Sequence, residues 1–318
     1  MRLSALSIAF VVSLPTLLLG ATPDVPRIAL PVAGRTVTPF PFSVTAGPNG
    51  TEWFLVNDAG SGGAFAGTCD GTPAVGITEA QTNSSGDAYD NGYILWAQGS
   101  RFSIGTADLT GSTVTAGPVT LSGLSVTRQL YFSLTRQVMR DLTSFFNPTG
   151  ATINVLVDVP INFGSDGGTV IGATSSGDLN FTIADRWVIT SDGAVPSDPV
   201  NTTVFAGPNG PGGPFIFVQA VTQTVFDCAA TNGVGWSYNV SVPPGITRRL
   251  LFFAGLENML GTGNTVPGAI ANAAIFNDTM ALHGTTDLTS GLSNAELLEV
   301  RNWDFSFLPV ELQSFEVQ

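Results

Sequence analysis

The sequence predicts an all-β fold, mainly an antiparallel β-sandwich or super-sandwich, with two short C-terminal helices packed on it. Three observations predict it. Short runs of alternating apolar and polar residues recur along the chain, as a half-buried strand requires. Gly- and Pro-bearing turns separate them, with 37 Gly and 20 Pro in 318 residues. Charged residues make up only 11% of the chain while 43% is hydrophobic. An ordinary globular protein carries about 25% charged residues. Solubility then falls to hydroxyls and amides, as in extracellular β proteins.

The elements follow in chain order. Arg2 precedes an apolar stretch from Ala5 to Leu19, and small Gly20 and Ala21 follow. That order is a secretory signal peptide over residues 1–21, and Pro15 and the short run argue against a membrane anchor. The expected location is secreted: extracellular, periplasmic or at the cell surface. No later stretch is apolar for long enough to span a bilayer. Residues 22–50, with six prolines and little patterning, read as an extended leader. Residues 51–318 read as one β-sandwich domain, with a helical segment at 266–302 and a final strand at 304–317.

Within the domain, residues 52–56 form a short strand and residues 57–92, rich in Gly, Ser and Asp, a long loop region. Residues 93–97 and 101–104 form a hairpin, and Val126, Leu130 and Phe132 share one face of the next strand. The clearest signal is residues 138–146 and 152–159, joined by Asn147-Pro148-Thr149-Gly150. Pro148 pre-sets φ for the turn. Beyond it Ile153, Val155, Val157 and Val159 fall on one face, and Thr152, Asn154 and Asp158 on the other. Further strands are expected at 169–173, 186–190, 215–222, 236–242 and 249–254. Thr265 and Pro267 open a helix that runs to Leu282 and ends at Gly284. Ser293 and Glu296 form a capping box for a second helix.

Composition removes several chemistries. The chain has one histidine, His283, and all 11 of its basic residues are arginines. A Ser-His-Asp triad has a single possible base, a two-His metal site is impossible, and no lysine is present for a Schiff base or a P-loop. His283 itself reads as a helix-end residue. The formal net charge of −13 and the scatter of the arginines argue against nucleic acid and anionic lipid as partners. Cys69 and Cys228 are the only cysteines, and in an exported chain they suggest one disulfide.

The candidate chemistry is acidic. Asp166, Asp178, Asp185, Arg186 and Trp187 fall within about 22 residues among Gly, Ser and Thr. They could line a sugar site with Trp187 as a stacking platform. Asp166 with Asp178, or Asp87 with Asp90 in a second acidic loop, could hold Ca²⁺ through oxygen ligands. The same Asp and Gly residues also build β-turns. Two-carboxylate glycoside chemistry stays open, with seven Glu against 17 Asp and no pair to choose; Glu257, Glu296 and Glu299 read as surface positions. The five tryptophans read as core. Six segments fit the N-glycosylation acceptor pattern, starting at Asn49, Asn83, Asn180, Asn201, Asn239 and Asn277.

Val126-Thr127-Arg128 through Tyr131, Asn147-Pro148-Thr149, Gly164-Ser165-Asp166 and Asp185-Arg186-Trp187 together resemble secreted bacterial all-β proteins with a galactose-mutarotase-like super-sandwich. The resemblance covers residues 90–260 and implies a sugar-related fold. Enzymes of that fold open sugar rings with His and Glu, and this chain has no matching His, so the activity does not carry over. The expectation is an exported, non-catalytic β-sandwich for surface attachment, glycan binding or extracellular assembly. The alternatives are a carboxylate-dependent polysaccharide enzyme and a purely structural subunit. The expected partner is a glycan, a cell-surface component or a second copy of the chain.

Overall fold

The computed structural model describes residues 25–56, 74–210, 217–219 and 233–309. Residues 1–21 and both cysteines, Cys69 and Cys228, lie outside the described residues. A nine-stranded sheet forms the middle layer. In spatial order it runs β13 (Val170–Thr174), β14 (Trp187–Ser191), β15 (Asn201–Val204), β18 (Thr247–Leu256), β11 (Val138–Phe146), β10 (Leu124–Phe132), β9 (Thr113–Leu121), β8 (Thr106–Gly111) and β2 (Val32–Pro39). Every neighbouring pair is antiparallel. A second sheet holds β16 (Phe217–Gln219), β17 (Gly233–Val242), β12 (Ile153–Asn162), β6 (Trp96–Ala97) and β7 (Ser100–Arg101). A third holds β1 (Arg27–Ala29), β3 (Phe42–Thr45), β4 (Glu52–Val56) and β5 (Gly76–Gln81), with β1 parallel to β3.

The two-residue period of a strand builds two cores from one sheet. On β18, Leu250 and Phe252 point to one side and Leu251 and Phe253 to the other. The first side packs with Val126, Leu130 and Phe145 against Val155, Val157, Val159 and Ile161 of β12 and against Phe42, Trp53 and Leu55. The second packs with Leu142, Trp187 and Ile189 under the helical layer, against Ala269, Phe276, Leu282, Leu297 and Trp303. The all-β architecture and the short C-terminal helices are therefore as expected, and the helices form a third layer. No helix among the described residues is long and apolar enough to cross a membrane.

The residues that carry the family resemblance are polar staples of this fold. Arg128 sits on the inward face of β10 and is only 1% exposed. It pairs with Asp141 across the β10–β11 register and donates to Val75 O at 2.9 Å and Tyr93 O at 2.8 Å. A buried charge survives only when paired in this way. Asn147 is fully buried at the β11–β12 turn. Its Nδ2 donates to Ala151 O and Val242 O, and its Oδ1 accepts from Thr149 N and Oγ1.

α1 (Val266–Ala273) starts as expected, with Thr265 Oγ1 accepting from Gly268 N at 3.1 Å. The expected single helix to Leu282 is split. A 3₁₀ turn, Ala274–Asn277, ends where Asp278 adopts extended backbone and caps α2 (Thr279–Thr285) by accepting from Ala281 N. α3 (Asn294–Leu298) has the Ser293/Glu296 capping box. His283 lies in the last turn of α2, with Nδ1 3.0 Å from Thr289 Oγ1.

Three boundary readings are corrected. Residues 25–50 are not a leader: they supply β1, β2 and β3. The expected loop region 57–92 contains β5, while residues 57–73 lie outside the described residues. Of the expected final strand 304–317, residues 304–309 are turn and coil, pinned by Trp303 and Phe305 packing rather than by a ladder; the rest lies outside the described residues.

Candidate functional site

A cleft of about 600 Å³ opens between the ends of the central strands and the helical layer. That volume falls within the usual range for small-molecule sites. Its floor is Val138 of β11, Thr202 of β15 and Gly255 and Leu256 at the end of β18. Asn272 of α1, Ile275, Phe276 and residues 285–287 at the end of α2 close it from the helical side. Residues 135–137 and Pro48 complete the wall.

Glu257 follows directly on the apolar end of β18, so the strand carries its carboxyl into the cleft wall. Its backbone N–H is held by Val200 O at 3.0 Å. The residue is 7% exposed, and among the described residues its side chain accepts only from Asn272 Nδ2, at 2.9 and 3.2 Å. Burial pushes its pKa up to about 7, partly offset by the Asn272 amide. Gly268 of α1 keeps room for it, since a Cβ there would lie 3.3 Å from Oε2.

Asp287 lines the same cleft in the opposite state. Burial favours its neutral form, but the donors around it win and hold it below the usual carboxylate range. They are Ser133 Oγ, Leu134 N, Thr135 Oγ1 and Tyr131 OH, all within 3.0 Å. Its loop is anchored by the buried Arg140, whose Nη1 donates to Leu288 O and Ser290 O while the guanidinium lies 4.8 Å from the Tyr131 ring centroid. Asp287 is therefore a saturated acceptor that fixes the wall, whereas Glu257 can still exchange a proton.

The acidic segment singled out in the sequence does not form a site of this kind. Asp185 is 1% exposed and accepts from Ser176 N at 3.0 Å and Thr182 N at 2.9 Å, closing the loop between β13 and β14. Asp178 is exposed and accepts from Asn180 N and Ser176 Oγ, an Asx turn that lowers its pKa. Arg186 contributes backbone: its N–H donates to Ser175 Oγ and its carbonyl accepts from Phe205 N and Ala206 N. Trp187 is corrected from stacking platform to core, 4% exposed with Nε1 on Asn277 Oδ1 at 3.1 Å. Trp53, Trp96, Trp236 and Trp303 are buried as well.

Asp166 lies in the turn before β13 and Asp178 after it. The two residues thus lie at opposite ends of the strand. Asp87 lies against Gly164, where a Cβ would come within 2.0 Å of its Oδ1, and beside the buried Glu79. Glu79 is pushed up to about 9 by burial and then by the Asp87 charge, so its proton serves that pair. Among the described residues no cluster of three or more His, Cys, Asp or Glu is arranged to hold a metal. Sequence reasoning missed Glu257 as a site residue. The available signal was a lone Glu ending a run of apolar and small residues, Leu250 to Leu256.

No protein-family model and no curated protein matches the chain. Solved structures similar to it include a polysaccharide lyase, at 10% identity and a TM-score of 0.34 over 73% of this chain and 34% of that one. The chain thus spans about a third of the lyase's length. A Synechocystis protein is similar at 8% identity and a TM-score of 0.34, over 69% of this chain and 96% of that one. A galactose mutarotase related enzyme from Lactobacillus acidophilus is similar at 10% identity and a TM-score of 0.32, over 70% and 99%.

Proposed function

We propose that this chain is an exported glycan-binding protein and that the cleft between the central sheet and the C-terminal helices takes the sugar. The observation that carries the reading is the cleft's lining. Glu257, Asn272, Gln137, Thr202, Thr285 and Thr286 offer hydroxyl, amide and carboxyl groups around an apolar patch of Val138, Ile275 and Phe276. A sugar ring presents the matching surface, with hydroxyls at its edge and C–H groups on its face. Below pH 7 the Glu257 carboxyl donates to a hydroxyl; above it, the carboxylate accepts. Surface attachment and assembly at a glycan-coated surface follow from the same binding.

The test is a glycan array followed by calorimetry of the hits. Thr285→Trp places a large ring at the exposed end of α2 beside the cleft and is expected to weaken binding at least tenfold. Asp185→Asn, in the β13–β14 loop, is expected to keep the same glycan profile. Retained affinity in Thr285→Trp together with loss in Asp185→Asn would move the site to the acidic loop.

The raised pKa of the cleft carboxyl Glu257 favours a second reading, acid-assisted cleavage of the bound glycan. Release of reducing ends that disappears in Glu257→Gln would establish it. Binding without turnover would leave the binding role alone.

A further inference from the structure

We infer that the ligand of this cleft carries an isolated carboxylate, an acidic sugar unit within an otherwise neutral glycan, and that Arg136 receives it. The inference rests on the glycan-binding reading of the cleft. Five of the ten described arginines are held by carboxylates or carbonyls. Arg27 pairs with Glu52, Arg35 with Asp108, Arg128 with Asp141 and Arg249 with Glu296 and Glu299. Arg140 is spent on backbone carbonyls. Arg136 lines the cleft, half-buried, and no carboxylate among the described residues lies within ion-pair distance of it. Its backbone is fixed, with the N–H on Ser133 Oγ at 2.9 Å.

The next residue adds a second donor. Gln137 lines the same wall; its Oε1 accepts from Asn49 Nδ2 at 3.1 Å, while its Nε2 is buried with no partner. A cleft-lining guanidinium with no carboxylate partner among the described residues, next in sequence to a buried amide N–H with no acceptor among them, suits an oxygen anion. A carboxylate meets a guanidinium with two parallel hydrogen bonds, which a neutral hydroxyl cannot do.

Asp287 stays ionised in the same cleft, so an incoming carboxylate is met by the Arg136 fork and not by the cleft's overall charge. Asp287 is saturated by its own donors, and Glu257 is uncharged on the acidic side of neutrality. The net charge of −13 does oppose a polyanion at long range. Screening over about 8 Å at physiological salt leaves a single carboxylate nearly unaffected. One acidic unit in a neutral chain therefore fits better than a polyuronate.

The experiment compares matched oligosaccharides, glucose-terminated and glucuronate-terminated, by calorimetry at pH 6. The full chain is expected to prefer the glucuronate member at least tenfold. The preference is expected to collapse towards one in Arg136→Gln and to return in part in Arg136→Lys, with melting curves confirming that each variant is folded. Equal or tighter binding of the glucose member, or a preference that persists in Arg136→Gln, overturns the inference while the glycan-binding reading stands. Binding of neither member, with no hit on the array, overturns both.

Discussion

Replacing Glu79 by Gln isolates one buried proton. Glu79 is 8% exposed; its Oε1 accepts from Ala80 N at 2.6 Å and Ala88 N at 3.0 Å, and its carboxyl shares a hydrogen bond with Asp87. Burial and then the Asp87 charge raise the folded pKa from 4.5 to about 9. The folded state therefore holds a proton that the unfolded chain releases above pH 4.5. This group's contribution to stability is complete below that pH and is lost as pH rises through the folded value. Between pH 5 and 8 the loss is about 1.36 kcal/mol per unit, or about 4 kcal/mol in all. Gln keeps the acceptor for both N–H groups and supplies an amide donor to Asp87 without titrating. Urea denaturation at pH 5, 6, 7 and 8 measures the stability of each form. The difference between Glu79→Gln and the parent is expected to grow by about 4 kcal/mol across that range, in favour of the variant. Glu257 titrates in both proteins and cancels. Parallel pH profiles would refute the shared-proton account of Glu79 and Asp87.

Three further outcomes are expected. Arg128→Met leaves the Asp141 carboxylate buried without its partner and should cost about 3–5 kcal/mol in denaturant titration; a loss below 1 kcal/mol would show that the pair is not the staple described. Gly207→Ala should dislodge the helical layer, because its Cβ would lie 2.1 Å from Trp303 Cε3, and weaker near-ultraviolet dichroism of tryptophan would report it. Asp185→Ala should cost about 1–3 kcal/mol through the unsatisfied turn donors it leaves, with glycan binding unchanged by calorimetry.

The strands legible in the sequence are those with an alternating period or a compact apolar run, such as β14 and β18. In β12, Val155, Val157 and Val159 face the core, Asn154 and Leu156 alternate with them towards solvent, and the turn at Asn147-Pro148 announces its start. The capping box of α3 was legible because it is written in side chains alone. β2 was not, since as the outermost strand of the nine it is mostly exposed and carries no apolar period. Prolines are tolerated at such edges, and they made 22–50 look like a leader. The cleft was illegible for a different reason. Val138, Thr202, Glu257, Asn272 and Asp287 meet only through pairing of β11, β15 and β18 and the docking of α1. The acidic loop drew attention instead because turn chemistry and ligand chemistry use the same residues, and Asp178 and Asp185 are committed to turns.

The central claim is that the ligand sits between the central sheet and the C-terminal helices. A crystal structure of the chain soaked with an oligosaccharide that binds in solution tests it most directly. The sugar is expected against Glu257, Asn272 and Arg136, over Phe276. A sugar ordered in the β13–β14 loop near Asp178, with the cleft holding only water, would contradict the account.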